Sequence, residues 1–191
     1  YAAEPEKLNI EMQDFLAPTA GRLPSNRSDI YFKELGSESP ILVKLIMQSI
    51  YQSDKRRIKH IGAQQFGMKF LLRGLYAHNG LFYFYTRIDN DTNMPFAVDF
   101  VTFKVVDKKV AKRTAMQEQV LQPLRAYHQL LEVKANDNER GVFVLEQFSL
   151  SQDKELQVTL YERGGGRTLS FSLDQEDLLL AQKIDKLKLK W

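Results

Sequence analysis

The chain has 191 residues, 43% hydrophobic and 27% charged, which suits one medium domain with a sizeable core. Its net charge of +3 comes from 27 basic against 24 acidic side chains, a balance that gives a surface of mixed sign and no global case for nucleic acid. Zero cysteines exclude disulfides, thiolate metal sites and cysteine nucleophiles, and no apolar run is long enough to span a bilayer as a helix.

In chain order, Leu8-Asn9-Ile10-Glu11-Met12 alternates apolar and polar, the period of a strand with one buried face. Residues 1–16 therefore read as the terminal strand of a preceding, truncated domain, or as a strand lent to the main one. Absence of an initiator Met and of a signal peptide fits a mature or truncated chain. Residues 17–39, with Pro18, Gly21, Pro24 and Gly36, read as a linker. The main domain is expected over residues 40–191.

Pro40 to about Lys55 reads as a helix. Ser39 is placed to cap it, Pro40 suits the first helical position, and Val43, Ile46, Met47, Ile50 and Tyr51 recur on one face. Lys55, Arg56 and Arg57 follow where cations complement the helix dipole. Phe66, Met68, Phe70 and Leu72 alternate as a strand, and Asn79-Gly80 marks a tight hairpin. Leu81–Ile88 is apolar on both faces, as expected of a central strand covered on two sides.

After a turn at Asp89–Pro95, Phe96–Val106 is a strand with Val98, Phe100 and Thr102 on one face. Asp99, Val101, Phe103 and Val105 take the other. Lys112–Val120 fits strand or short helix. Asn136–Arg140 reads as a polar turn and Gly141–Leu150 as a strand. Leu156–Tyr161 and Thr168–Leu173 form a hairpin across Gly164-Gly165-Gly166, and Asp174–Leu187 reads as a helix. Six or seven strands at short spacing predict a mainly β fold, an immunoglobulin-like antiparallel β-sandwich with a helix before it and a C-terminal helix.

The patterns of catalysis and cofactor binding are missing from the sequence. His60, His78 and His128 have no metal-ligand spacing between them. Asp89-Asn90-Asp91-Thr92-Asn93 begins like a calcium loop, but Met94 stands where glycine is required and Phe100 where glutamate is required. A turn rich in Asx residues is the better reading. The triple glycine lies between two strands, so it reads as a hairpin tip and not as a phosphate loop. No catalytic, cofactor-binding or metal residues are assigned, and a non-enzymatic role is expected. The concentrated charge feature is the turn carrying Lys108, Lys109, Lys112 and Arg113, which reads either as a solvated turn or as a candidate docking surface for an acidic partner protein, nucleic acid or anionic lipid headgroups. It lacks the interleaved aromatics that single-stranded nucleic acid would stack on, so direct nucleic-acid contact is not expected.

The run FGMKFLLRGLYAHNGLFYFYTRIDNDTNMPFAVDFVTFKVVDKKVAKRTAMQEQVLQPLRAY, residues 66–127, resembles the Bacteroides conjugative transposon TraN family. LRGLY, FYTRIDNDTNMPF and DFVTFKVVDKKVAKRTAMQE carry the resemblance, and PEKLNIEM and ERGGGRTLSF fit it. The resemblance implies a structural component of a conjugative, type IV secretion-like apparatus, similar to the outer-membrane core subunit of VirB-type systems. It further implies a periplasmic, outer-membrane-associated location, contacts with other envelope subunits, oligomerisation in the assembled complex, and no cofactor. The alternative is a carbohydrate-binding or adhesin-like sandwich. Solvent exposure of Tyr83 and Tyr85 would favour that alternative, whereas a covering helix would make both core residues, the outcome expected here.

Overall fold

The helix expected at Pro40 is α1, Pro40–Ser53, and it buries Val43, Ile46, Met47 and Ile50. Pro40 occupies its first turn as expected, but the Ser39 side chain makes no capping bond. Only its carbonyl joins the helix, accepting from the Val43 N–H at 3.1 Å. The helix stops at Asp54, which takes left-handed φ of 44°, so Lys55–Arg57 lie beyond its last turn. This is a computed structural model, and it describes residues 38–108, 118–128 and 130–184. The expected strand at Leu8–Met12 and the linker at 17–39, save for Glu38 and Ser39, lie outside the described residues.

Eleven strands follow among the described residues: β1 Gly62–Gln65, β2 Met68–His78, β3 Leu81–Asn90, β4 Phe96–Asp107, β5 Gln119–Leu121, β6 Arg125–Tyr127, β7 Glu132–Val133, β8 Asp137–Glu146, β9 Lys154–Glu162, β10 Thr168–Leu173 and, after a short helix α2 (Gln175–Leu179), β11 Gln182–Lys183. They form two sheets. Sheet 1 runs β1-β2-β3-β8-β6 with β11 also on β2, and sheet 2 runs β10-β9-β4-β5 with β7 also on β4. Every pairing is antiparallel except β11 with β2. The protein is the mainly β sandwich that the strand spacing predicted.

Asn79 and Gly80 both have positive φ, 42° and 75°, as a two-residue turn between β2 and β3 demands. A Cβ on Gly80 would touch nothing, so glycine is needed there for its backbone freedom and not for space. The second expected hairpin joins β9 to β10 across the three glycines, and its register sets Leu160 opposite Leu169.

Several expectations are corrected. Phe66 is not in a strand: with Gly67 it makes a tight positive-φ turn between β2 and the unforeseen β1, and its ring is exposed. Asp137–Arg140 are strand and not turn, because β8 extends to pair with the end of β3. Val98 does not share a face with Phe100 and Thr102. A register shift between Val98 and Phe100 puts one extra residue into β4, so Val98, Phe103 and Val105 all reach the core while Phe100 turns outward. A similar shift between Leu72 and Gly74 in β2 sends Leu75 inward and Tyr76 outward.

The expected helix over Asp174–Leu187 shrinks to α2. Asp174 and Asp177 form a reciprocal capping box and Leu178 is buried, but the helix has ended by Leu180. Leu179 and Leu180 are exposed. The chain then extends as β11 beside Tyr76 and Ala77, and Ile184 plugs into the cluster under α1. Pairing an open sheet edge satisfies backbone groups that a longer surface helix would leave at the edge of β2. Residues from 185 onward lie outside the described residues.

The core between the sheets is aromatic at its centre. Phe103 of sheet 2 meets Phe84 and Phe143 of sheet 1 edge-on, at centroid distances of 5.4 and 5.5 Å, and Phe70 meets Phe171 at 4.9 Å. Replacing Phe103 by Ala should cost about 3–5 kcal/mol of unfolding free energy, because a cavity opens where both sheets meet. Urea-induced unfolding measures it, and a loss below about 1 kcal/mol would mean that Phe103 does not join the sheets.

Candidate interaction surface

The two sheets differ in what lies on their outward faces. On sheet 1 the outward face carries Tyr76, Tyr83, Tyr85, Val142 and Val144, and α1 packs over it with Val43, Ile46, Met47 and Ile50. Tyr83 and Tyr85 have no solvent exposure, so they are core, as the covering-helix expectation required. Burial drives the Tyr83 hydroxyl strongly upward in pKa.

The end of α1 is fastened by a polar cluster centred on Asp54. Its Oδ1 accepts from the Tyr85 hydroxyl at 2.5 Å, and ion pairs reach it from Arg140 at 3.0 Å and Arg73 at 3.3 Å. Arg73 also donates to the Asp54 carbonyl at 3.1 Å, one of the acceptors that a helix C-terminus leaves open. The Arg140 guanidinium lies 4.6 Å from the Tyr51 ring centroid, and Tyr51 stacks on His128 at 4.2 Å. Partial burial opposes charge on Asp54, but the Tyr85 and Arg140 hydrogen bonds and the two arginine charges outweigh it and lower its pKa. Tyr85 is pushed up to about 12, first by burial and then by its bond to the Asp54 carboxylate. Every member of the cluster has a structural partner, and together they clamp the helix onto the sheet. Sequence reading missed Asp54, although a short acidic residue just past a helix end, ahead of three basic ones, is a local signal for such a cap.

On sheet 2 no element among the described residues covers the outward face. The register lays out a grid of three rows across β4, β9 and β10: Phe100, Tyr161 and Thr168; Thr102, Thr159 and Ser170; Lys104, Gln157 and Ser172. Phe100 and Tyr161 make contact with ring centroids 4.7 Å apart, and Phe100 keeps 49% of its surface in solvent. Thr159 and Ser170 hydroxyls bond at 2.8 Å. Ser172 donates to Glu155 at 2.8 Å and Lys104 to Glu118 at 2.9 Å, and Val120 beside Lys104 is half exposed. Thr159 is buried and the Thr102 hydroxyl has no solvent access, so the hydroxyls exposed beside the aromatic pair are those of Thr168, Ser170 and Ser172. The Asp99 bulge creates this platform, since it turns Phe100 outward.

Of the predicted basic turn, only Lys108 is within the described residues; Lys109, Lys112 and Arg113 lie outside them. Lys108 is exposed at the end of β4, with its N–H on the Asp153 carbonyl at 2.8 Å. Hydrogen bonds, first from Ser151 to Asp153 and from the Asp177 backbone to Asp174, hold both carboxyls below the usual range, and the Lys108 charge adds to each. Lys108 therefore borders acidic groups as well as its own basic run.

The other singled-out residues have structural employment. Asn90 is buried and its amide donates to the carbonyls of Met94, Val133 and Lys134, while its oxygen accepts from Thr92. The calcium-like stretch is thus an Asx-organised turn, as read from its sequence. His60 meets Asp177 at 3.3 Å on the surface. Beside the glycine tip, Arg167 pairs with Glu162 and lies over the Phe96 ring. Among the described residues no cluster of three or more His, Asp or Glu is placed to hold a metal, and no helix is long and apolar enough to cross a membrane.

Residues 40–183 match a family described as Domain of unknown function (DUF4138). The match opens on the first residue of α1 and closes on the last residue of β11, so the helix, both sheets and the strand that seals β2 all fall within the family's unit. No curated protein matches the chain.

Because the Asp54 pKa is depressed in the folded protein, its contribution is complete well above the ordinary value of 3.8 and is lost as pH falls below it. Asp54→Asn should lower stability at pH 7 by on the order of 1 kcal/mol, a small value because the carboxylate is partly solvated. Denaturant titrations at pH 7 and pH 3 should show the gap between variant and wild type narrowing in acid. An equal gap at both pH values would mean that the ionised carboxylate is not what fastens the helix.

Proposed function

This chain belongs to the DUF4138 family, and from that premise we propose that it is a structural, assembly component of a conjugative DNA-transfer apparatus, working by protein–protein contact in the cell envelope. The resemblance of residues 66–127 to the TraN family supports the apparatus and the periplasmic, outer-membrane-associated location. One structural observation supports the contact mechanism: one face of the sandwich is sealed by a clamped helix, while the other presents Phe100, Tyr161 and the exposed hydroxyls of Thr168, Ser170 and Ser172, with no described element packed over them. Rigid flat sheets with outward aromatics make anchors for partner surfaces, since Phe and Tyr supply large contact area at little entropic cost. The basic run of Lys108, Lys109, Lys112 and Arg113, which follows β4 in the sequence, supplies charge for steering an acidic partner subunit.

The same aromatic pair favours a second reading. A ring platform next to threonine, serine and glutamine side chains also suits a carbohydrate, in which case the protein is a surface ligand-binding module.

Affinity co-purification from cells carrying the complete transfer operon separates the two. The full-length protein should bring down other envelope transfer proteins. Phe100→Ala with Tyr161→Ala should lose them at least tenfold while unfolding within about 1.5 kcal/mol of wild type, because both rings face outward and exceptional losses belong to core positions. Charge reversal at Lys108, Lys109, Lys112 and Arg113 should slow capture and make it less salt-sensitive. If no envelope protein is captured and a glycan array binds instead, the assembly reading is wrong.

A further inference from the structure

Along its outer edge β2 pairs with β1 at one end and with β11 at the other. Between them the segment 54–61 lies on the same edge as a strap. The N–H groups of Arg57 and Ile58 both donate to the Arg73 carbonyl, at 2.7 and 3.0 Å, and the Leu72 N–H donates to the Ile61 carbonyl at 3.2 Å. The Arg56 guanidinium folds back onto the carbonyls of Ile58 and Lys59, and Ile58 packs against the core. The strap is thereby fixed to β2, and it presents Lys55, Arg56, Arg57, Lys59 and His60 to solvent. Among the described residues no carboxylate pairs with its Lys and Arg side chains.

Beside the strap, α2 ends in two leucines that face water. His60 meets Asp177 of α2 at 3.3 Å, and Leu179 and Leu180 keep 77% and 75% of their surface exposed. Lys183 is exposed on β11, which runs beside Tyr76 and Ala77, and Arg57 lies against the same Tyr76. One sheet edge therefore gathers a row of cations and a protruding apolar pair. Its acidic groups are mostly engaged. Asp54 is held by Arg73 and Arg140, and Asp174 and Asp177 form the capping box of α2, which leaves Glu176 as the exposed acid.

We propose that this edge docks on a membrane surface with anionic headgroups, its cations among the phosphates and Leu179 and Leu180 entering the acyl boundary. Charge complementarity selects an anionic partner. The leucines select a lipid one: a pair so exposed protrudes and lines no groove, and a protruding apolar tip is best received by a soft apolar medium. A nucleic-acid strand fits less well. His60 is engaged by Asp177 and Tyr76 is buried, so the edge offers no free ring for stacking. This inference stands apart from the assembly reading, whose contact face lies on sheet 2.

Vesicle flotation of the full chain tests it. Binding to mixed phosphatidylcholine–phosphatidylglycerol vesicles should be at least about tenfold tighter than to phosphatidylcholine alone, and should weaken as salt rises. Lys55→Glu with Lys59→Glu should lower that affinity about tenfold, and Leu179→Ser with Leu180→Ser about as much. The substituted side chains are all exposed, so both variants should unfold at the wild-type denaturant midpoint. Phe100→Ala with Tyr161→Ala should bind vesicles as wild type does, which separates this edge from the assembly face. Equal affinity for the two vesicle types would overturn the proposal, as would binding to neither. Undiminished vesicle binding by the leucine variant would overturn it too. So would equally tight capture on immobilised polyglutamate, which would assign the edge to an acidic protein instead.

Discussion

The run Leu81–Asn90 carries apolar side chains on both sides of a single strand, and neither side can be left in water. Phe82, Phe84 and Ile88 point one way into the space between the sheets, whereas Leu81, Tyr83 and Tyr85 point the other way. The first set demands a facing sheet, which β4, β9 and β10 provide through Phe103, Val158 and Phe171. The second demands a lid, which α1 provides. Burying an aromatic side chain is worth roughly 1.5–3 kcal/mol, so three tyrosines beneath the helix fix its position far more strongly than its own propensity could. The Asp54 cluster sets the angle and the stopping point of that lid. With sheet 1 sandwiched on both sides, the outward face of sheet 2 is left as the broad described surface for contact.

Much of this layout could be read directly from residues. Pro40 and the i, i+3, i+4 spacing of Val43, Ile46 and Met47 marked α1. Asn79-Gly80 and the triple glycine marked two hairpins, and two-sided hydrophobicity marked β3 as central. What escaped is non-local. A bulge changes which face every later residue takes, and neither Arg73 nor Asp99 announces one, because the extra residue is defined only against the partner strand. Phe100 was therefore assigned the same face as Val98, and the outward aromatic platform stayed hidden. Likewise Asp174–Leu187 has helical periodicity, but the edge of β2 competes for its second half and wins. Strand β1 is four residues long and begins with Gly62, too brief to show a period.

The sites follow the same division. Asx chemistry around Asn90 was legible because it is local: one buried amide organises its own loop. The basic run at Lys108 was legible as composition, yet only Lys108 can be placed, and it sits among carboxylates. The Asp54 cluster draws on α1, β2, β3 and β8, and the Phe100–Tyr161 pair on β4 and β9, so each exists only after folding. The match to the DUF4138 family spans all these elements, while the proposed contact role rests on the contrast between a sealed face and an open one.

That contrast is tested most directly by hydroxyl-radical footprinting of the protein inside the intact envelope assembly and as the isolated chain. The account predicts that Phe100 and Tyr161 are oxidised readily in isolation and are protected on assembly, while Tyr83 stays protected in both. Equal oxidation of Phe100 and Tyr161 in the two states would contradict it, and the outward face of sheet 2 would not be the contact surface.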